Sequence, residues 1–198
     1  SPTINKEQKE VIRYILWNMV YVEGGIANLG DNNNYPVDVA SFFINRYEVS
    51  QDEWYVIMGE NPSNQHRRNY PVDQVNWFNA QRFTKKLSQL SGLPFRLPFE
   101  AEWEYAARGG LKTKNFIYAG SNNAEQVAWF REKYYNTYVS KETGTKKPNE
   151  LGLYDMSGNV YEWCMDWYDR KVPFTGNIAP VISEKDTHKV LRGGSYYT

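Results

Sequence analysis

Apolar positions follow two regimes along this chain. Up to residue 108 they recur at helical or strand spacing; beyond Leu111 they come in short bursts between long polar runs. Val11, Ile12, Ile15, Leu16 and Met19 fall three and four residues apart and predict an amphipathic helix over residues 7–19. Met19-Val20-Tyr21-Val22 reads as a strand, ended by Glu23-Gly24-Gly25. The Asn- and Gly-rich stretch from Asn28 to Pro36 reads as a loop, and residues 41–49 have the aromatic and β-branched content of a second strand. Ser50 and Glu53 form a capping box, Trp54, Ile57 and Met58 supply an apolar face, and Gly59 provides a stop. After a polar loop from Asn61 to Tyr70, Asn76 is placed to cap a helix carrying Phe83, Leu87 and Leu90 and ending near Gly92. A further helix runs from Glu100 to Arg108, before Gly109-Gly110. From Leu111 onward the pattern gives short strands and long loops, which in a compact domain are functional or unusually well packed.

Composition sharpens this picture. The chain has 198 residues, enough for one well-buried core, and no Pro/Ser-rich linker or low-complexity tract divides it. Its 7 Trp, 16 Tyr and 9 Phe suit a core of large flat side chains joined by loops, and equally an aromatic-lined binding surface. Lysine plus arginine and aspartate plus glutamate balance at 23 each, so no basic excess argues for nucleic acid or an anionic membrane as partner. No apolar run approaches the roughly 20 residues of a membrane span. Cys164 is the one cysteine, which excludes an internal disulfide and an all-cysteine zinc site. The chain begins with Ser1, in keeping with a processed N-terminus and an extracytoplasmic or secreted location.

Four stretches carry a family resemblance. They are Pro71-Val72-Asp73-Gln74-Val75-Asn76-Trp77, the run from Arg96 to Gly110, the run from Asn149 to Trp163, and Leu191-Arg192-Gly193-Gly194-Ser195-Tyr196. In identity, order and spacing they resemble the formylglycine-generating enzyme (sulfatase-modifying factor) family, and Met19-Val20-Tyr21-Val22-Glu23-Gly24-Gly25 fits its opening. The resemblance covers residues 19–198, with residues 1–18 as an added helical extension. It implies a single loop-rich α+β domain related to C-type lectin folds. It also implies an oxidase that converts a sulfatase cysteine to formylglycine with oxygen and a copper(I) ion held by two cysteines.

The sequence departs from that pattern at the chemistry. Family cysteines stand three and eight residues after the serine of the Gly-Gly-Ser motif; here Ser195 is that serine, and Thr198 occupies the first position. Copper(I) prefers thiolates, so copper is not expected in this chain, and no catalytic residue is assigned. Three readings follow: a non-catalytic domain serving binding or structure, with a protein or peptide as partner; an oxidase seen without its C-terminal segment; or ligand display on a lectin-like surface. Phe99 stands where the family has threonine, which removes a helix cap.

The resemblance carries a calcium site onto Asp155 and Glu162 with the carbonyls of Gly158 and Val160. Carboxylates and carbonyls of a tight turn suit a cation that takes six to eight oxygen ligands. The alternative is a turn in which Asp155 and Asn159 bond backbone amides. Glu125 to Trp129 lies where a second family calcium site would be, with no ligands assignable. Arg192 and Ser195 would border the family's cleft. Glu102 and Glu104, two apart on a helix, point to different faces and read as structural. His66 and His188, far apart in polar stretches, read as surface residues.

Overall fold

Asn5 and Gln8 cap the first helix reciprocally, and α1 runs Lys6–Trp17, ending two residues before the apolar spacing implies because Met19 opens β1 (Met19–Val22). The computed structural model describes residues 4–30, 35–131, 139–168 and 188–198. Of the stretch Asn28 to Pro36, which its composition assigns to a loop, Asn28, Leu29, Tyr35 and Pro36 lie in strands, while residues 31–34 lie outside the described residues. β2 (Gly25–Leu29) and β3 (Tyr35–Val39) pair antiparallel, with Gly25 opposite Val39 and Leu29 opposite Tyr35. Asn28 and Pro36 face one another on the exposed side while Leu29, Val37 and Val39 are buried. A strand that buries only alternate residues can look like a loop when its outer positions are Asn and Pro.

β4 (Phe42–Asn45) pairs antiparallel with β1. The capping box then starts α2 (Gln51–Met58) as its residues imply, with Ser50 Oγ accepting from Glu53 N and Glu53 Oε2 accepting from Ser50 N, and Gly59 closes it at φ 85°. Asn76 caps α3 (Trp77–Ser91) by accepting from Asn79 N. Ile12 and Ile15 of α1, Trp54 and Ile57 of α2, and Phe83, Leu87 and Leu90 of α3 form one core cluster, in which the Trp54 and Phe83 rings stack at 5.0 Å. α1 is therefore built into the helical core.

A second cluster surrounds α4 (Glu100–Ala107), whose last six residues are all buried. Val22 of β1, Leu29 of β2, Val37 and Val39 of β3, and Leu153, Met156 and Cys164 share this cluster. Phe99 makes no side-chain cap, but the lost cap is replaced from elsewhere: Asp166 Oδ2 accepts from Glu100 N at 2.6 Å. A carboxylate at a helix N-terminus satisfies an amide that would otherwise be orphaned. Asp166→Ala is expected to cost about 1 kcal/mol in a urea titration; no change would mean that water caps the helix equally well. At the other end Asn149 Nδ2 donates to the carbonyls of Ala106 and Ala107 while its Oδ1 accepts from Leu151 N and Leu153 N.

After a short α5 (Ala124–Val127), the long loops lead to β5 (Glu162–Trp167) and β6 (Lys189–Arg192), paired antiparallel with Glu162 opposite Arg192 and a register shift between Trp163 and Trp167. Among the described residues no helix is long and apolar enough to cross a membrane.

Candidate functional site

The turn from Asp155 to Glu162 is held in an unusual backbone conformation. Asp155 and Asn159 lie at φ 57° and 59°, a left-handed region that Asp and Asn tolerate better than most residues. Gly158 sits between them at φ 89°, and a Cβ there would come within 2.3 Å of the Trp129 carbonyl oxygen, so only glycine fits.

Asn159 is fully buried and joins distant segments. Its Oδ1 accepts from Lys141 N at 2.8 Å; its Nδ2 donates to Glu48 Oε2 at 2.6 Å and to Lys141 O at 3.2 Å. Its own N–H donates to Trp129 O, and its carbonyl accepts from Tyr196 N. Glu48 Oε1 completes the arrangement by accepting from Val160 N at 3.0 Å. Glu48 carries little signal in the sequence, one acid in the otherwise apolar Tyr47-Glu48-Val49.

Three carboxylates, two from this turn and Glu48 from a distant segment, thus act on one another in a buried region. Asp155 Oδ2 accepts from Gly144 N at 2.7 Å, whereas Asp155 Oδ1 is buried with no hydrogen-bond partner. Glu162 Oε2 accepts from Trp103 Nε1 at 3.1 Å. Burial raises all three above the ordinary carboxylate range: Glu162 to about 7, Glu48 well above its usual value and Asp155 upward. The charges acting on Glu48 are those of Asp155 and Glu162, which push it further up. Among the described residues no ion pair neutralises any of the three.

The structure therefore brings together Asp155, Gly158, Val160 and Glu162 and adds Glu48 beside them. Asp155 and Asn159 each bond main-chain groups, and one Asp155 oxygen has no partner among the described residues. The carbonyls of Gly158 and Val160 accept no hydrogen bond among the described residues. Also among the described residues, no three His, Cys, Asp or Glu side chains stand close enough to hold a metal ion by themselves. A cation here would have to combine carboxylates with carbonyl oxygens and water, which is calcium's habit.

Ser195 and Thr198 close a tight turn. Thr198 Oγ1 accepts from Ser195 N at 3.0 Å and lies 3.2 Å from Ser195 O, to which it donates; Tyr197 N donates to Ser195 Oγ. Cys164 is buried in the α4 cluster, and burial pushes its thiol well above the usual range. Its peptide carbonyl accepts from Trp77 Nε1. A two-thiolate copper site does not fit these residues: one position carries a hydroxyl already committed to the backbone, and the single thiol is sealed elsewhere. Ser195 lines a groove of about 1300 Å³ between the helical cluster and the Val160–Trp163 segment. Arg192 lines a different cleft, of about 170 Å³, where Arg192 and Arg108 both bond Glu104. Glu102 and Glu104 do face opposite ways: Glu102 is clamped by Arg96 through two 2.7 Å bonds. His66 and His188 are exposed.

Residues 6–198 match the sulfatase-modifying factor enzyme 1-like domain. The chaperone protein LppX of Paenibacillus barcinonensis is 35% identical over 90% of this chain and 78% of its own length. A formylglycine-generating enzyme of Streptomyces coelicolor is 34% identical over 66% of this chain, which spans 43% of that enzyme. Among solved structures, Treponema denticola variable protein 1 superposes with a TM-score of 0.72 at 28% identity, covering 91% of this chain and 84% of that one.

Proposed function

Because this chain belongs to the sulfatase-modifying factor enzyme 1-like domain family, we propose that it works as a calcium-stabilised protein-binding domain and not as a copper-dependent oxidase. The observation that carries this reading is Thr198, whose hydroxyl stands three residues after Ser195 and is spent on that residue's backbone. A hydroxyl does not replace the thiolate that copper(I) chemistry requires. The scaffold around it keeps its buried residues, residues 102–107 of α4 and Asp155, Met156, Gly158 and Asn159 of the turn, which is what a domain kept for binding needs. A relative that is a chaperone protein points the same way, toward a protein or peptide as the partner.

Calcium is proposed for the turn, held by Asp155 and Glu162 and the Gly158 and Val160 carbonyls. Its chemistry there would be charge neutralisation: hard oxygen ligands meet a divalent ion, and the orphaned Asp155 oxygen gains a partner. An extracytoplasmic location suits such a site, because calcium is abundant there.

The test is direct. The protein is incubated with copper(I), oxygen and a cysteine-bearing sulfatase peptide, and the peptide is read by mass spectrometry. The expected result is unchanged cysteine. Formylglycine formed above the level of a protein-free control would sink the binding-domain reading.

A further inference from the structure

The small cleft at the end of α4 is lined by unlike charges that do not meet. Its walls are α4 itself, the loop from Phe116 to Gly120, and Met156 and Ser157 of the neighbouring turn. The loop is fixed by its own bonds: Tyr118 N donates to Ser121 O, Ile117 N to Asn122 Oδ1 and Ala119 N to Ser157 Oγ.

Arg108 and Arg192 both line the cleft and lean on one carboxylate, Glu104. Two guanidinium groups carry roughly ten N–H donors, against about four acceptor sites on a carboxylate. Gly30 N uses one of those sites. Arg192 Nη1 stands 3.7 Å from Glu100 Oε1, an ion pair too long for a hydrogen bond. The arginines keep 42% and 32% of their side-chain surface exposed, so donors without an acceptor remain open to the cleft. The opposite sign comes from Glu150, also in the lining. Its Oε1 accepts from Lys114 N at 3.0 Å. Among the described residues its Oε2 accepts no hydrogen bond, and no ion pair joins it to either arginine. Unlike charges that share a cleft without touching leave room between them for a molecule that carries both.

Phe116, Ile117, Tyr118 and Met156 supply an apolar and aromatic wall. The cleft holds about 170 Å³, well below the roughly 300 Å³ at which drug-sized pockets begin, so only a small molecule fits. We propose that it binds a free apolar α-amino acid, with the carboxylate on Arg108, Arg192 and the Ser157 hydroxyl, the ammonium on Glu150 and the side chain against Phe116, Ile117 and Met156. The planar guanidinium fork matches a carboxylate. Ser157 Oγ already accepts from Ala119 N, which leaves its proton to donate. The site shares no residue with the proposed calcium ligands. It adds a small-molecule ligand to the binding-domain reading and does not depend on it.

L-leucine is the probe, titrated into the intact protein by calorimetry, with NMR to locate the site. Saturable binding is expected, with shifts concentrated at residues 116–120 and Ser157. Isocaproate lacks the ammonium and isoamylamine lacks the carboxylate, so each should bind about tenfold or more weakly than leucine. Glu150→Gln keeps an acceptor for Lys114 N, so its Tm should hold while leucine binding weakens about tenfold and isocaproate binding does not. No saturation with millimolar leucine, or shifts gathered elsewhere, overturns the proposal. Equal affinity for leucine and isocaproate also overturns it, because Glu150 would then have no part. N-acetyl-leucine binding as tightly as leucine overturns it in favour of the carboxyl terminus of a polypeptide. The formylglycine assay is untouched by any of these outcomes and tests the binding-domain reading separately.

Discussion

Glu104→Ala is expected to lower the unfolding free energy by about 3–5 kcal/mol, a fall of roughly 10 °C in Tm for a chain of this size. Glu104 is 3% exposed and takes three charge-bearing or backbone donors. Arg192 Nη2 stands 2.7 Å from Oε2, while Arg108 Nε and Gly30 N stand 2.8 and 2.9 Å from Oε1. Alanine would strand a backbone N–H at the end of β2 and take the shared carboxylate from Arg108 and Arg192, the latter keeping its 3.7 Å pairing with Glu100. Arg192 would suffer most, because its Nε is already buried without a partner. Both arginines keep part of their side chains in solvent, which pulls the cost toward the lower end of the range. Urea titration followed by tryptophan fluorescence reads the effect. The double variant Glu104→Ala/Arg192→Ala should lose clearly less than the two single losses added together, because both changes remove the same Arg192–Glu104 bond. A single-variant loss under about 1 kcal/mol would show that water satisfies these groups and that the network does not anchor α4.

The same network shows which parts of the structure the residues disclose before any coordinates. Caps and apolar periodicity are local physics, so α2, α3 and α4 lie where Ser50, Asn76 and Gly109 put them. β2 and β3 were hidden because their outward residues include Asn28 and Pro36, which carry turn chemistry and not strand chemistry. The Asp155–Glu162 turn is legible through the family resemblance. Glu48 is not: it meets Asn159 across 111 residues, and nothing near Glu48 in the chain signals that contact. The replacement of a threonine cap at Phe99 by Asp166, 66 residues away in the case of its Glu100 bond, is invisible for the same reason. Local sequence reports what a residue can do, and only packing reports whom it meets.

Stability should fall as pH rises through the acid-to-neutral range, and calcium should reverse the fall. Glu162 has its pKa raised from 4.5 to about 7 in the folded protein. A carboxyl whose folded value is raised holds its proton more tightly when folded, so its contribution is most favourable below the unfolded value, near 4.5. Between that value and about 7 the folded protein binds more protons than the unfolded chain, and the contribution is lost as pH rises. Over that interval the shift corresponds to something on the order of 3 kcal/mol, lessened by the partial exposure of Glu162. Burial pushes Asp155 and Glu48 the same way. A divalent cation at the turn favours the ionised carboxylates, lowers their folded values and displaces the extra proton. Millimolar calcium should therefore raise Tm strongly at pH near 8, where the uncompensated charges are present, and little at pH near 5. Glu162→Gln removes both the titrating group and a ligand, so it should flatten the acid-to-neutral decline and abolish most of the calcium response together. Thermal melts with chelator or calcium across this range, on the wild type and this variant, provide the comparison. A calcium-indifferent Tm at every pH would show that the three carboxylates are balanced by protons alone, and the Asp155–Glu162 turn would then be a structural hub without an ion.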